Sequence, residues 1–327
     1  FDIYTLVPKT FFEDSYVGKF TYYSFESDIG LVQRSPLEED LDATLRALEN
    51  IIPLDPVIVH SLARDLRKSR TECVVCDIAP IGIAAAKSAG IQSVLIENFR
   101  WDWIYDGYID SHPRFSKAIS YYKMLFSQTD VHIQTIPICD STKNAMTSNV
   151  VSRQPRMSRS QARKTLGLDE KFPLLLVSGG VPQESQALKN LAKLRDIHVV
   201  IAAMGKIIHR EDNLTFIPYE CDFYHPDLIE ASDCVVGKLG YSTMAEVYRA
   251  GVPFIFIARP HFRESPVLSD FVSEEIPCLS FSPLKFLTGE WVSKIQDLIT
   301  IPKVVRKRQN GADQIAAFLN QLNPTSP

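Results

Sequence analysis

The sequence predicts an α/β protein built as two Rossmann-like domains that face a cleft. Three observations carry that expectation. Short β-branched and leucine-rich runs alternate with stretches of helical period, the pattern of a parallel sheet covered by helices. The alternation occurs twice, on either side of a basic, polar, proline-bearing break. Finally, 327 residues at 45% hydrophobic content suffice for two cores. The expected domains are residues 1–150 and 151–327, joined by a linker at 148–155, with the last helix placed to pack back on the first domain.

In the first domain FDIYTLVP (1–8) reads as a strand. Residues 37–50 put Leu37, Leu41, Leu45 and Leu48 at helical spacing, and 57–68 continue that period. ECVVCD (72–77) is a strand, 80–89 a small-residue helix stopped by Gly90, and SVLIEN (93–98) the next strand. The break, VVSRQPRMSRSQARKTLGLDEK (150–171), contains a short helix at 160–166 that ends at Gly167. In the second domain strands are expected at 174–177, 198–202, 214–217, 234–236 and 254–257. Helices are expected at 183–194, 226–231, 243–250, 267–274, 289–298 and 313–322.

Charge and cysteine usage narrow the function. Lys plus Arg 35 against Asp plus Glu 39 gives a net charge of -4, which offers no broad field for a nucleic-acid backbone. Cys73 and Cys76 have a C-x-x-C spacing, but residues three apart on a strand face opposite sides and cannot jointly chelate. They are read as core thiols, and no metal is expected. No apolar run has the roughly 18–20 residues of a spanning helix. A cytoplasmic location is expected.

Several stretches carry chemistry, each with a purely structural alternative. In GKLGYSTMAEVYRAGVPF, Gly240 suits a tight turn, and Ser242 or Thr243 suits the cap of the next helix, whose first amides would favour phosphate. Thr243 and Glu246 have capping-box spacing; an outward Glu246 would instead suit the paired hydroxyls of a ribose. Ser178, Gly179 and Gly180 close the first strand of the second domain, where parallel sheets collect ligands, or form a packing turn. Neither G-x-G-x-x-G nor a Walker loop is present, so no nicotinamide or ATPase site is expected. In ENFRWDWIYDGY, Asn98, Trp101, Trp103, Asp102 and Asp106 could meet a sugar or hydroxyl ligand, or form an apolar edge cluster. The loop ARPHFRESP crowds Arg259, His261, Arg263 and Glu264; Arg259 and Arg263 could serve a diphosphate, or pair with Glu264 and neighbouring acids. His225 in YECDFYHP lies in a loop able to read a base, or is a surface histidine.

DCVVGKLGYSTMAEVYRAGVPFIFIARPHFRE resembles the donor-side signature of the two-domain (GT-B type) glycosyltransferase superfamily that includes the undecaprenyl-diphospho-muramoylpentapeptide N-acetylglucosaminyltransferase. CDIAPIGIAAAKSAGIQSVLIENFRWDWIYDGY is similar, more narrowly, to bacterial glycosyltransferase-like proteins and to the amino-terminal region of plant L-arabinokinase. The resemblance implies a diphosphate near Ser178, Gly179, Gly180, Gly240, Ser242 and Thr243. It implies a ribose on Glu246, a base beside Phe223 and His225, and a donor sugar near Arg263 and Glu264. The sugar-gripping acid-Gln pattern of the superfamily is here Arg263, Glu264, Ser265, Pro266, which leaves the donor sugar open. Relatives begin with a strand and a glycine- and histidine-bearing loop; FDIYTLVP matches their second strand, so a first strand and helix are expected ahead of Phe1.

The expected reaction is transfer from a nucleotide diphosphate sugar of uridine type to a hydroxyl acceptor, with no tightly bound cofactor. Asp102 and Asp77 are base candidates by position alone, and Asn98, Trp101 and Trp103 are acceptor-side candidates. A non-catalytic nucleotide-sugar-binding protein, and a nucleotide-sugar epimerase or hydrolase, are the alternatives. Peripheral membrane contact is left open.

Overall fold

The computed structural model describes residues 1–15, 18–179, 185–219 and 221–322. The chain divides into two units: Phe1–Val151 with Phe262–Glu264 and Gln309–Pro327, and Ser152–His261 with Ser265–Arg308.

The first unit opens with β1 (Asp2–Thr5), α1 (Lys9–Ser15), β2 (Thr21–Ser24), β3 (Gln33–Ser35) and β4 (Glu38–Glu39), then α2 (Leu41–Ile51) and α3 (Pro56–Lys68). It continues through β5 (Cys73–Asp77), α4 (Pro80–Ala89), β6 (Gln92–Glu97), α5 (Trp101–Asp106), α6 (Phe115–Phe126), β7 (Val131–Thr135) and β8 (Met146–Ser148). β5, β6, β7 and β8 form a parallel sheet in that order; β1 pairs in parallel with β2, and β3 runs antiparallel to β4. The helix expected from residue 37 begins four residues later. Asp40 sets the start, because its carboxylate accepts the Ala43 N–H at 2.9 Å and satisfies a first-turn donor. α4 ends as expected at Gly90, whose φ of 70° is the left-handed conformation that closes a helix. Tyr105, Phe115 and Tyr122 are buried together in the core, with the Tyr105 and Phe115 rings stacked at 5.2 Å. Cys76 Sγ is buried against Gly82, and burial pushes its thiol up to about 12, as suits a core cysteine.

The second unit contains α7 (Arg159–Thr165), β9 (Leu174–Ser178), α8 (Gln186–Leu191), β10 (His198–Ala202), β11 (His209–Glu211), β12 (Leu214–Ile217) and α9 (His225–Ala231). Then come β13 (Cys234–Lys238), α10 (Tyr241–Ala250), β14 (Phe254–Ile257), α11 (Ser265–Glu275), β15 (Cys278–Ser280), α12 (Pro283–Thr288), a 3₁₀ turn (Glu290–Lys294) and α13 (Ile295–Ile299). The last helix, α14 (Gly311–Leu322), belongs to the first unit, where the Gly311 N–H donates to Val150 O at 2.9 Å. The helix expected at 289–298 is instead the 3₁₀ turn followed by α13, and the Trp291 indole donates back to Phe286 O at 3.0 Å.

The sheet order of the second unit is β11-β12-β10-β9-β13-β14-β15, parallel except for the edge strand β11. From β9 the chain winds outward to β10 and β12, then returns beside β9 with β13 and winds the other way. That reversal places a topological switch point between β9 and β13, where open α/β sheets form a crevice outside the carboxyl ends of the strands. The strands are nearly continuous apolar runs, as expected when helices cover both faces, and Leu175, Val177, Val199, Ile201, Val236 and Ile255 share a core with Trp291. Arg163 braces the entrance to β9. Its guanidinium donates to Ala231 O at 3.0 Å and Phe172 O at 2.9 Å and pairs with Asp233 at 2.5 Å, while Asp233 accepts the Leu174 N–H at 2.8 Å.

Candidate functional site

In the second unit, four side chains meet at the switch point. Ser178 ends β9, His225 opens α9, Glu246 lies in α10, and Arg153 comes from the segment before α7. Ser178 Oγ is 2.9 Å from His225 Nε2, His225 Nδ1 is 2.7 Å from Glu246 Oε2, and Arg153 Nε is 2.7 Å from Glu246 Oε1. Glu246 is buried. Burial alone would raise its pKa, but the hydrogen bond and charge of His225 and the charge of Arg153 outweigh that and hold it below the usual carboxylate range. An ionised carboxylate only accepts, so Nδ1 carries the proton it shares with Glu246. In the neutral ring Nε2 is then the acceptor, and Ser178 donates to it.

The backbone explains the position of Ser178. Gly237 of β13 lies opposite it, and a Cβ on Gly237 would sit 3.1 Å from Ser178 O and 3.3 Å from Ser178 Cβ. Glycine lets the two strands end this close without either having to give way. Gly179 follows with φ 97°, in a region that side chains disfavour. Gly180 lies outside the described residues.

Three expectations around α10 are corrected. Gly240 is extended, at φ -146° and ψ 157°, so it holds no conformation reserved for glycine. It is itself the N-cap, which puts Ser242 and Thr243 inside the first turn, and no side chain caps the helix. Glu246 makes no capping box, because both of its oxygens face His225 and Arg153. The first-turn amides of α10 have no acceptor within the helix, as at any helix start. Phe223 is half-buried next to Tyr224, whose ring lies 4.0 Å from the Arg156 guanidinium.

In the first unit, a second set of polar groups gathers at the carboxyl ends of β5 and β6. Asn98 Nδ2 donates to Glu264 Oε1 at 2.7 Å, and both residues are buried. Arg263 donates to Trp103 O at 2.5 Å and Asp106 Oδ2 at 2.9 Å, with its guanidinium 4.3 Å from the Trp103 ring. Arg263 and Glu264 thus bond to the acceptor-side candidates Asn98 and Trp103. Asp102 is clamped by Arg100, with Nε at 3.1 Å and Nη2 at 3.4 Å, and Arg100 also holds Asp140 and Thr142. That geometry fixes the start of α5 and gives each Asp102 carboxylate oxygen a guanidinium donor. Asp77 ends β5 with solvent access from one side, while the protein packed around it raises its carboxyl above the ordinary range by desolvation.

Asp28 escaped the sequence reading. Its Oδ2 accepts the Trp101 indole N–H at 2.8 Å, and burial raises the carboxyl to about 6, aided by the charges of Asp77 and Glu26 and opposed by the indole. No periodicity or motif marks a single aspartate in an irregular loop. Arg153 was missed for the same reason.

No family model matches the sequence. The chain is 26% identical to the L-arabinokinase of Arabidopsis thaliana over 298 residues, which is 90% of this chain but 28% of that protein. It is 28% identical over 139 residues to the UDP-N-acetylglucosamine–N-acetylmuramyl-(pentapeptide) pyrophosphoryl-undecaprenol N-acetylglucosamine transferase of Acetivibrio thermocellus, 37% of each chain. The chain therefore spans well under half the length of either relative. Among solved structures, that of Arabidopsis thaliana UGT89C1 superposes with a TM-score of 0.62 over 98% of this chain and 91% of the other, at 10% identity. The fold is the GT-B fold of glycosyltransferases.

The two Rossmann-like units of the GT-B fold thus carry different chemistry. One has an ionised relay beside a glycine turn and a helix start; the other has indoles, a buried amide–carboxylate pair and two carboxylates with no cation partner among the described residues. No group of three or more His, Cys, Asp or Glu side chains able to hold a metal occurs among the described residues, and no described helix is long and apolar enough to cross a membrane.

Proposed function

We propose that this chain binds a nucleotide diphosphate sugar of uridine type and transfers its sugar to a hydroxyl acceptor. The observation that carries the reading is the Ser178–His225–Glu246–Arg153 relay at the switch point of the second unit. The second unit is the donor side, and the first unit, which takes in Phe262–Glu264 and Gln309–Pro327, is the acceptor side. Each Glu246 oxygen has a lone pair left for a ribose hydroxyl. The Gly179 turn, Ser178 and the first turn of α10 at Ser242 and Thr243 offer donors to a diphosphate, and the Phe223 ring offers a face to the base. Similarity to a transferase named for UDP-N-acetylglucosamine supports the uridine assignment. As the bond from the anomeric carbon to the diphosphate breaks, negative charge grows on the departing oxygen, where oriented amides are most effective.

Calorimetric titration with UDP, UDP-N-acetylglucosamine, ADP and GDP tests binding, and release of UDP from the sugar nucleotide tests turnover. Binding of UDP species in preference to ADP and GDP, with UDP release, is expected. Absence of binding by all four would remove the reading. Binding without release would favour a sugar-nucleotide-binding protein.

A further inference from the structure

We propose, resting on the transferase reading above, that Asp28 is the group that takes the proton from the acceptor hydroxyl, held in position by the Trp101 indole beside the Asp77 carboxylate. Other buried acids are placed differently, and Glu97, held at Oε1 by His132 and Gln134, has a second oxygen that is unpartnered but sealed from solvent. Asp102 is held by Arg100, Glu246 by His225 and Arg153, and Asp227 accepts the N–H groups of Arg156 and Met157. Asp28 differs. Its Oδ2 takes the indole N–H at 2.8 Å, while Oδ1 has no hydrogen bond and neither Asp28 nor Asp77 has a cation partner among the described residues.

The support around this carboxyl is rigid. The Trp101 ring stacks on Tyr105 at 5.8 Å and meets Phe99 edge-on at 5.2 Å, and Tyr105 stacks on Phe115 at 5.2 Å. Two residues beyond Asp28, Gly30 turns at φ 62°; a Cβ there would lie 3.3 Å from the indole, and the Tyr105 hydroxyl donates to Gly30 O at 2.8 Å. Ile78, directly after Asp77, has φ 55°, a conformation β-branched residues avoid. The titratable groups facing Asp28 are Asp77, Glu26, Tyr105 and Tyr122. Two carboxylates without a cation resist losing both protons, so one of them holds or takes a proton near neutral pH. In the step, the acceptor oxygen forms its bond to the anomeric carbon and its proton passes to Asp28 Oδ1. The diphosphate leaves with the electron pair of the broken bond, and Asp28 then returns the proton to solvent.

Two measurements on the full chain test this. In protein labelled with ¹⁵N at tryptophan, with the Trp101 resonance assigned by its loss in Trp101→Phe, the indole signal is expected to titrate with a midpoint near 6. That titration should vanish in Asp28→Asn and move to lower pH in Asp77→Asn. UDP release from UDP-N-acetylglucosamine, with water as acceptor, should fall about 100-fold or more in kcat for Asp28→Asn. The KM for the sugar nucleotide should stay within about twofold, since the residue is absent from donor binding. Asp28→Glu should recover part of kcat and the acid limb of the pH profile. An Asp28→Asn protein that matches the wild type in kcat and pH profile overturns the proposal, as does a Trp101 signal that is flat from pH 5 to 7. UDP release missing from the wild type, with the titration intact, overturns the transferase reading and the proton-acceptor role with it; the wild type turning over while Asp28→Asn does so equally overturns only the role of Asp28.

Discussion

His225 Nδ1 and Glu246 Oε2 lie 2.7 Å apart, and the second oxygen of the same carboxylate takes Arg153 Nε at the same distance. The carboxylate is therefore a hub that orients a histidine on one helix and an arginine on the segment before another. Glu246→Gln keeps the shape and removes the charge. Charge-assisted hydrogen bonds of this kind are worth about 1.5–3 kcal/mol, so UDP affinity should drop roughly 10- to 100-fold in calorimetry. Unchanged affinity with a lowered melting temperature would make the hub purely structural.

How much of this was legible beforehand differs between the two levels of structure. The parallel strands β9, β10, β12, β13 and β14 are unbroken apolar runs bounded by turns, and burial on both faces writes itself into such runs. Ser178 and Glu246 were legible beside glycine turns and His225 in a loop able to read a base, but their hydrogen bonding to one another was not. Capping-box spacing at Thr243 and Glu246 pointed to the wrong partner, because a local pattern cannot report a histidine 21 residues upstream that competes for the same oxygen. Asp28 was silent for a related reason: its character comes from Trp101, 73 residues away in sequence.

Asp28 also makes a prediction about stability. Its folded-state carboxyl is raised from 3.8 to about 6, so the folded protein holds this proton where the unfolded chain has lost it. The contribution of the group to stability is full below pH 4 and is lost as pH rises through about 6. Asp28→Asn keeps an oxygen for the Trp101 N–H and cannot ionise. It should melt above the wild type at pH 8, by on the order of 2–3 kcal/mol in free energy, and the gap should close by pH 4. A gap independent of pH would show that the carboxyl is not under this strain.

Arg163 tests the entrance to the donor-side sheet. Its side chain is 1% exposed, and desolvation depresses its pKa, yet its guanidinium serves Ala231 O, Phe172 O and Asp233 at once. Arg163→Met keeps the bulk but strands the Ala231 and Phe172 carbonyls, while Asp233 keeps Arg159 at 2.6 Å and the Leu174 N–H at 2.8 Å. Leaving a buried acceptor unsatisfied costs about 1–3 kcal/mol, a loss large enough to follow by chemical denaturation. Nucleotide affinity measured below the melting transition should stay near that of the wild type, because Arg163 has no contact with the relay.

Gly237→Ala separates position from composition at the donor-side site, since it removes none of the four relay side chains. The added Cβ would meet Ser178 O at 3.1 Å and Ser178 Cβ at 3.3 Å, so the ends of β9 and β13 must part by a few tenths of an ångström. Ser178 Oγ already stands at 2.9 Å from His225 Nε2, and hydrogen bonds weaken steeply as they lengthen and bend. The strain of overpacking a well-filled site is about 1–3 kcal/mol. If the relay orients the ligand, UDP affinity should fall by about tenfold or more, and His225→Gln combined with Gly237→Ala should cost little beyond the larger single effect, because both changes disable the same contact. Fully additive losses in the double variant would mean that Gly237 acts on the fold and that Ser178 and His225 bind independently.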